Sequence, residues 1–83
     1  MLEQGRRYYK ESRLDKAIDI FKRLLIQKKI TEAQYLLAVC YMNSNQYEKG
    51  INIFYEIMDD VPDYRKNVYL LTAIAYKKLF KID

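Results

Sequence analysis

One cysteine and no histidine are all that this 83-residue chain offers for the usual nucleophilic, metal and proton-transfer chemistry. Structural and catalytic zinc sites are assembled from several Cys and His side chains, and Ser–His–Asp and Cys–His catalysis both require an imidazole. Neither can be built here. An enzyme would have to work with carboxylates, Lys and Tyr alone. Neither glycine opens a phosphate-cradling loop, since Gly5 lies in GRRYY and Gly50 in EKGIN. Asp59, Asp60 and Asp63 surround Pro62 without the ligand spacing of a calcium loop, and read as a solvated helix end. Cys40 stands in LAVCY, between small and apolar residues. A reactive thiol needs an exposed, electropositive setting, so Cys40 reads as a small buried hydrophobe. The sequence therefore predicts no catalytic residue, no cofactor and no metal.

What remains is the chemistry of binding. The stretch RRYYKESR, Arg6 to Arg13, mixes cations with two tyrosines and is the one nucleic-acid cue, since phosphates and bases are met by such residues. On a helix these side chains spread over several faces and alternate with Glu11, so nucleic acid is a disfavoured partner. The net charge of +4 is also unevenly placed. Residues 1–30 carry nine Lys/Arg and four acids (+5), residues 31–64 one Lys and six acids (−5), residues 65–83 five Lys/Arg and one acid (+4). Neighbouring segments thus attract one another, an effect on register and solubility more than on stability. Nine tyrosines are many for this length. Tyr8, Tyr41, Tyr47 and Tyr76 fall at positions that packing explains. Tyr9, Tyr55, Tyr64 and Tyr69 are freer to act as interface anchors.

These residues must be positioned by helices. Half of the chain is apolar, about a third is charged, and two Gly and one Pro are the only strong breakers, which excludes both disorder and a turn-rich β meander. Tyr35, Leu37, Ala38, Tyr41 and Met42 recur at helical spacing within 31–43. Tyr47, Ile51, Phe54, Ile57 and Met58 do so within 47–58. Asn43, Ser44, Asn45 and Gln46 form a polar break between them. Pro62 forces Val61 out of the α region and closes the second helix. Residues 2–11 and 14–28 make an analogous first pair, and 64–80 a fifth helix.

The pairs are copies. RLDKAIDIFKRLL (13–25) superposes on QYEKGINIFYEIM (46–58) at an offset of 33, which also places Gly5 on Ala38 and Tyr8 on Tyr41. YLLAVCY (35–41) returns as YLLTAIAY (69–76), with Ala38 to Ala73 and Tyr41 to Tyr76 both 35 apart. The longer step puts the additional residue in the connector DDVPDYRK. Each helix thereby repeats one small residue (Gly5, Ala17, Ala38, Gly50, Ala73) near a large one (Tyr8, Phe21, Tyr41, Phe54, Tyr76). Small residues let helix backbones approach, and the large ones fill the space beside them.

This pattern resembles the tetratricopeptide repeat, a helix–turn–helix of roughly 34 residues. The family's small residue three before an aromatic is matched by Gly5/Tyr8, Ala38/Tyr41 and Ala73/Tyr76. Its second-helix series is matched by Leu14/Ala17/Phe21 and Tyr47/Gly50/Phe54. Two departures stand out: Lys29 replaces the closing proline of the first copy, and Gln34 stands at the helix-start Trp or Leu of the second. The resemblance covers essentially the whole chain. It implies an all-α fold, a right-handed superhelical stack (α-solenoid) of about five helices in antiparallel pairs. Repeat one would be 1–30, repeat two 31–64, and 65–83 a partial third repeat or a capping helix. Leu79, Phe80 and Ile82 favour a slice of a longer solenoid, because an end cap has a polar outer face.

The resemblance further implies a non-catalytic scaffold that binds a partner peptide or helix on its concave face, which the first helix of each repeat lines. Arg6 and Tyr9 would serve there from repeat one, Tyr35, Val39 and Met42 from repeat two, Leu70, Ile74 and Lys77 from repeat three. Basic edges at Arg6 and Lys77 suit an acidic partner. Some family members clamp a C-terminal carboxylate; the matching positions here are Leu2, Arg6, Leu36, Asn67 and Leu71, so no such clamp is expected. Two alternatives stand beside this reading: a structural solenoid segment within a larger assembly, and an RNA-binding helical repeat. No window approaches the roughly 18 apolar residues that span a bilayer, and MLEQGRRYYKESR has no signal-peptide core, so a cytoplasmic protein without membrane insertion is expected.

Overall fold

Four of the five helices begin with an acid in the first turn: Glu3, Asp15, Glu32 and Glu48. A carboxylate there offsets the partial positive charge of the unpaired N–H groups. The computed structural model describes residues 1–60 and 65–80. The helices are α1 (Leu2–Lys10), α2 (Leu14–Gln27), α3 (Thr31–Asn43), α4 (Tyr47–Asp60) and α5 (Arg65–Phe80). They match the expected spans to within one or two residues, and the described residues contain no strand. α5 has no first-turn acid but ends on Lys77 and Lys78, the favourable charge for a helix C-terminus. Pro62, Asp63, Tyr64 and Ile82, on which sequence readings rest, lie outside the described residues.

The α1–α2 and α3–α4 turns are the same device written twice. The Arg13 N–H donates to the Tyr8 carbonyl at 2.8 Å, and the Gln46 N–H to the Tyr41 carbonyl at 2.8 Å. Inside each, the Ser12 N–H reaches Tyr9 at 3.1 Å and the Asn45 N–H reaches Met42 at 3.2 Å. This nested pair satisfies two of the carbonyls that a helix end leaves open. The motif needs a left-handed residue, and Ser12 (φ 60°) and Asn45 (φ 66°) supply it. The α2–α3 link differs: Lys28 and Ile30 are extended.

Packing follows the small residues. A Cβ on Gly5 would stand 2.5 Å from Cε1 of Phe21, so only glycine lets α1 approach α2 this closely. A Cβ on Gly50 would stand 3.0 Å from the Ala38 carbonyl oxygen, so α3 and α4 meet almost backbone to backbone. α3 is central and is buried on two sides. Ala33, Leu37, Cys40 and Tyr41 join Ala17 and Phe21 of α2 in one cluster. Ala38 and Met42 join Ile51, Phe54 and Ile57 of α4, with Val68 and Ala75 of α5, in the other.

α5 departs from expectation. Val68, Thr72 and Ala75 are buried, whereas Ala73 is exposed and Tyr76 is 36 % exposed. Ala73 and Tyr76 were expected to pack as Ala38 and Tyr41 do. The side of α3 that carries Ala38 is covered by α4, and no described helix covers the corresponding side of α5. Tyr76 instead stacks on Phe80 at 5.9 Å between centroids and shares a 2.8 Å hydroxyl hydrogen bond with Tyr55. That bond raises the Tyr55 hydroxyl above the ordinary phenol range.

Candidate partner-binding surface

The eight residues expected to meet a partner lie on α1, α3 and α5. The structure places them in three different situations.

Arg6 is already engaged. Its guanidinium grips both carboxylate oxygens of Glu32 in the first turn of α3. The hydrogen bond to Glu32 raises the Arg6 pKa, and the same bond holds the Glu32 carboxyl below its ordinary range. Both side chains remain more than a third exposed, so solvent screens the pair and its contribution is small. Its main effect is geometric, since a bidentate fork fixes direction as well as distance. It ties α1 to α3 and neutralises the cation that was expected to orient an acidic partner. Glu32 had not been singled out in the sequence, where it is only a first-turn acid 26 residues from Arg6 with a whole helix between them.

Tyr9, Tyr35 and Val39 are half-buried. Tyr9 packs on the α2–α3 cluster. Tyr35 meets Phe54 edge to face, with 6.1 Å between centroids and 61° between rings. Val39 borders the α3–α4–α5 cluster. These side chains present one edge to solvent while the other supports the core. Met42 requires correction: at 8 % exposure it is a core residue, with Cγ 3.2 Å from where a Gly50 Cβ would be. The missing Gly50 side chain opens the space that Met42 fills, and it has little surface left for a partner.

On α5 the situation reverses. Leu70 is 61 % and Ile74 43 % exposed, and Lys77 is exposed as well. Tyr69 and Phe80 beside them are exposed as well, at 59 % and 60 %. Tyr69 was among the tyrosines judged free; Phe80 was noted only as an apolar chain end. No group of His, Cys, Asp and Glu among the described residues is arranged to hold a metal ion. No helix among them is long and apolar enough to cross a membrane.

Cys40 is fully buried, and burial pushes its thiol up to about 11. The thiolate is the reactive species, so at pH 8 native Cys40 should be silent towards a thiol reagent. Labelling is expected only once urea unfolds the chain. Rapid labelling of the folded protein would place Cys40 at the surface and contradict the α2–α3 packing.

No curated protein and no solved structure matches the chain. The family model of the tetratricopeptide repeat matches residues 8–75. That span contains both left-handed turns, both buried clusters and the start of the exposed α5 face. Repeats of this kind generally mediate contacts between proteins and are typically non-catalytic. By this match, and by its stack of helices around small–large contacts, the chain belongs to the tetratricopeptide repeat family.

Proposed function

We propose that the chain is a protein-interaction scaffold whose concave side, lined by α1, α3 and α5, receives a peptide or helix of another protein. The observation that carries this reading is the contrast between Leu70 and Ile74, exposed on α5, and the filled cores around α3. Apolar side chains in a cluster at a surface mark association. Tyr9, Tyr35 and Val39 supply half-buried contact edges, and Arg6 shapes the surface through Glu32. Lys77 supplies charge without an ion pair among the described residues, so preference for an acidic partner resides at the α5 end.

The test is capture of partners from an extract of the source cells. The bait is this chain against a Tyr9→Glu/Val39→Glu variant whose helicity by circular dichroism is unchanged. Partners lost with the variant support recognition along α1 and α3. Equal capture by both moves function to the ends of the stack and favours a structural segment of a larger assembly.

A further inference from the structure

The second helices of the repeats, α2 and α4, carry an exposed face that the stacking of repeats does not reach. On α2 it holds Asp19, Lys22, Arg23 and Ile26, at helical spacing and on the side away from buried Phe21. The 33-residue offset places Asn52, Tyr55 and Glu56 of α4 at the positions of Asp19, Lys22 and Arg23. α2 has the following pair, α3 and α4, in place, and its face is exposed. α4 has the preceding pair, α1 and α2, in place, and Asn52, Tyr55 and Glu56 are exposed too. Another repeat on either side would therefore leave this face to solvent.

The face is more than a solvated surface. Ile26 is 84 % exposed, the most of any large apolar side chain among the described residues. Lys22, Arg23, Lys28 and Lys29 stand around it, all exposed. The matching part of α4 bears Tyr55 and Glu56, and the last turn of that helix contains no basic residue. The partial negative charge of its free carbonyls is thus left for a cation from elsewhere. α2 does not supply one within the molecule. Arg23 is turned to Asp19, and neither Lys22 nor Glu56 has an ion pair among the described residues. The other halves of the two faces, Asp15–Lys16 and Glu48–Lys49, are neutral doublets.

A cationic patch and an anionic patch side by side on one face are self-complementary. Ile53 of α4 packs on the cluster that α2 and α3 share. Three-residue links join both helices to α3, along which they pack, so α2 and α4 run parallel to each other. A two-fold axis along the helices and between them lays α2 of one copy on α4 of the other, with like ends together. A nucleic acid or an anionic membrane fits this face less well, because Glu48 and Glu56 would repel it beside the cations that attract it.

We infer that the α2–α4 face pairs two copies of this chain about such an axis, with Lys22 against Glu56 of the second copy and Ile26 within one turn of its Tyr55. Each helix is 14 residues, about 20 Å, long. Two such faces make a contact at the small end of specific interfaces, so the pair is weak and concentration-dependent. α1 and α3 of both copies stay outside it. The pair therefore presents two concave sides at once and holds a divalent target by avidity.

Sedimentation of the full 83-residue chain should show a reversible monomer–dimer equilibrium that 1 M salt shifts towards monomer. Lys22→Glu, Glu56→Lys and Ile26→Ser should each weaken self-association by about tenfold or more, with helicity by circular dichroism unchanged. The charge reversals supply the sharpest comparison. Alone, each sets like charges against one another twice across the axis. Mixed in equal amounts, the Lys22→Glu and Glu56→Lys chains regain both pairs and should form a heterodimer as stable as the wild-type dimer. A wild-type chain that stays monomeric at about 1 mM overturns the inference. So does a dimer that these substitutions leave intact, or one that the mixture fails to restore. A dimer lost with Leu70→Glu also overturns it and moves the contact to α5. The concave-side reading is decided by its own α1–α3 variant and stands apart from each of these results.

Discussion

Phe54→Ala is expected to cost about 3–5 kcal/mol, the range for removing a fully buried aromatic from a core that cannot collapse around the gap. Phe54 is inaccessible to solvent and belongs to the cluster that joins α3, α4 and α5. Its ring meets Tyr35 edge to face, so truncation also removes a partner from a half-buried side chain. A domain of this length has a total stability on the order of 4–12 kcal/mol. The variant should therefore be largely unfolded, or show its urea midpoint displaced by a large fraction of the wild-type value, when followed by circular dichroism. A loss below about 1 kcal/mol would mean that the α3–α4–α5 cluster is not the packed core described.

Ala38→Arg should be comparably damaging. Ala38 has no accessible surface, and its own carbonyl oxygen lies at the closest approach of α4. No space exists for a long side chain, and a guanidinium without a buried partner is expected to cost at least about 3 kcal/mol on top of overpacking. The decisive control is Ala73→Arg. It stands at the position 35 residues later in the repeat, yet Ala73 is exposed. That change should move stability by no more than about 0.5 kcal/mol, as for surface substitutions generally. Equal damage from both would restore Ala73 to the core and remove the open face from α5.

Much of this architecture was legible because helix spacing and repeat offset carry the same information twice. Gly5 over Ala38 and Ala17 over Gly50 marked the close approaches, and Phe21 and Phe54 marked the side chains that fill them. The turns were legible only as polar breaks. Which residue would turn left-handed was not evident, since Ser12 has no special preference for that region and is forced into it by the carbonyls around it.

The faces of α3 and α5 were the hardest to assign. Both helices are apolar around most of their circumference, so periodicity gives them no direction. Neighbours decide instead: α3 packs between α2 and α4 and buries Met42, whereas among the described residues α5 packs chiefly on α4 and leaves Ala73 out. A sequence pattern specifies which residues share a face, and only the fold specifies whether that face finds a partner. The Arg6–Glu32 clasp was hidden for a similar reason, as its two ends are 26 residues apart and no local rule links them.

The order in which helices pack has a kinetic consequence. α1 lies on α2, α2 on α3, α3 on α4 and α4 on α5, so nearly every contact closes a short loop. Loop closure of this kind is entropically inexpensive, and chains dominated by local contacts fold within microseconds to milliseconds. α3 lies in the middle of this order, between α2 and α4, and touches α1 as well, so it is the natural place for the first stable structure to form. Amide exchange should then be slowest at the centre of α3, around Leu37 and Ala38, and should quicken towards α1 in one direction and α5 in the other. Among the described helices, opening would then begin at α1 and α5 and reach α3 last.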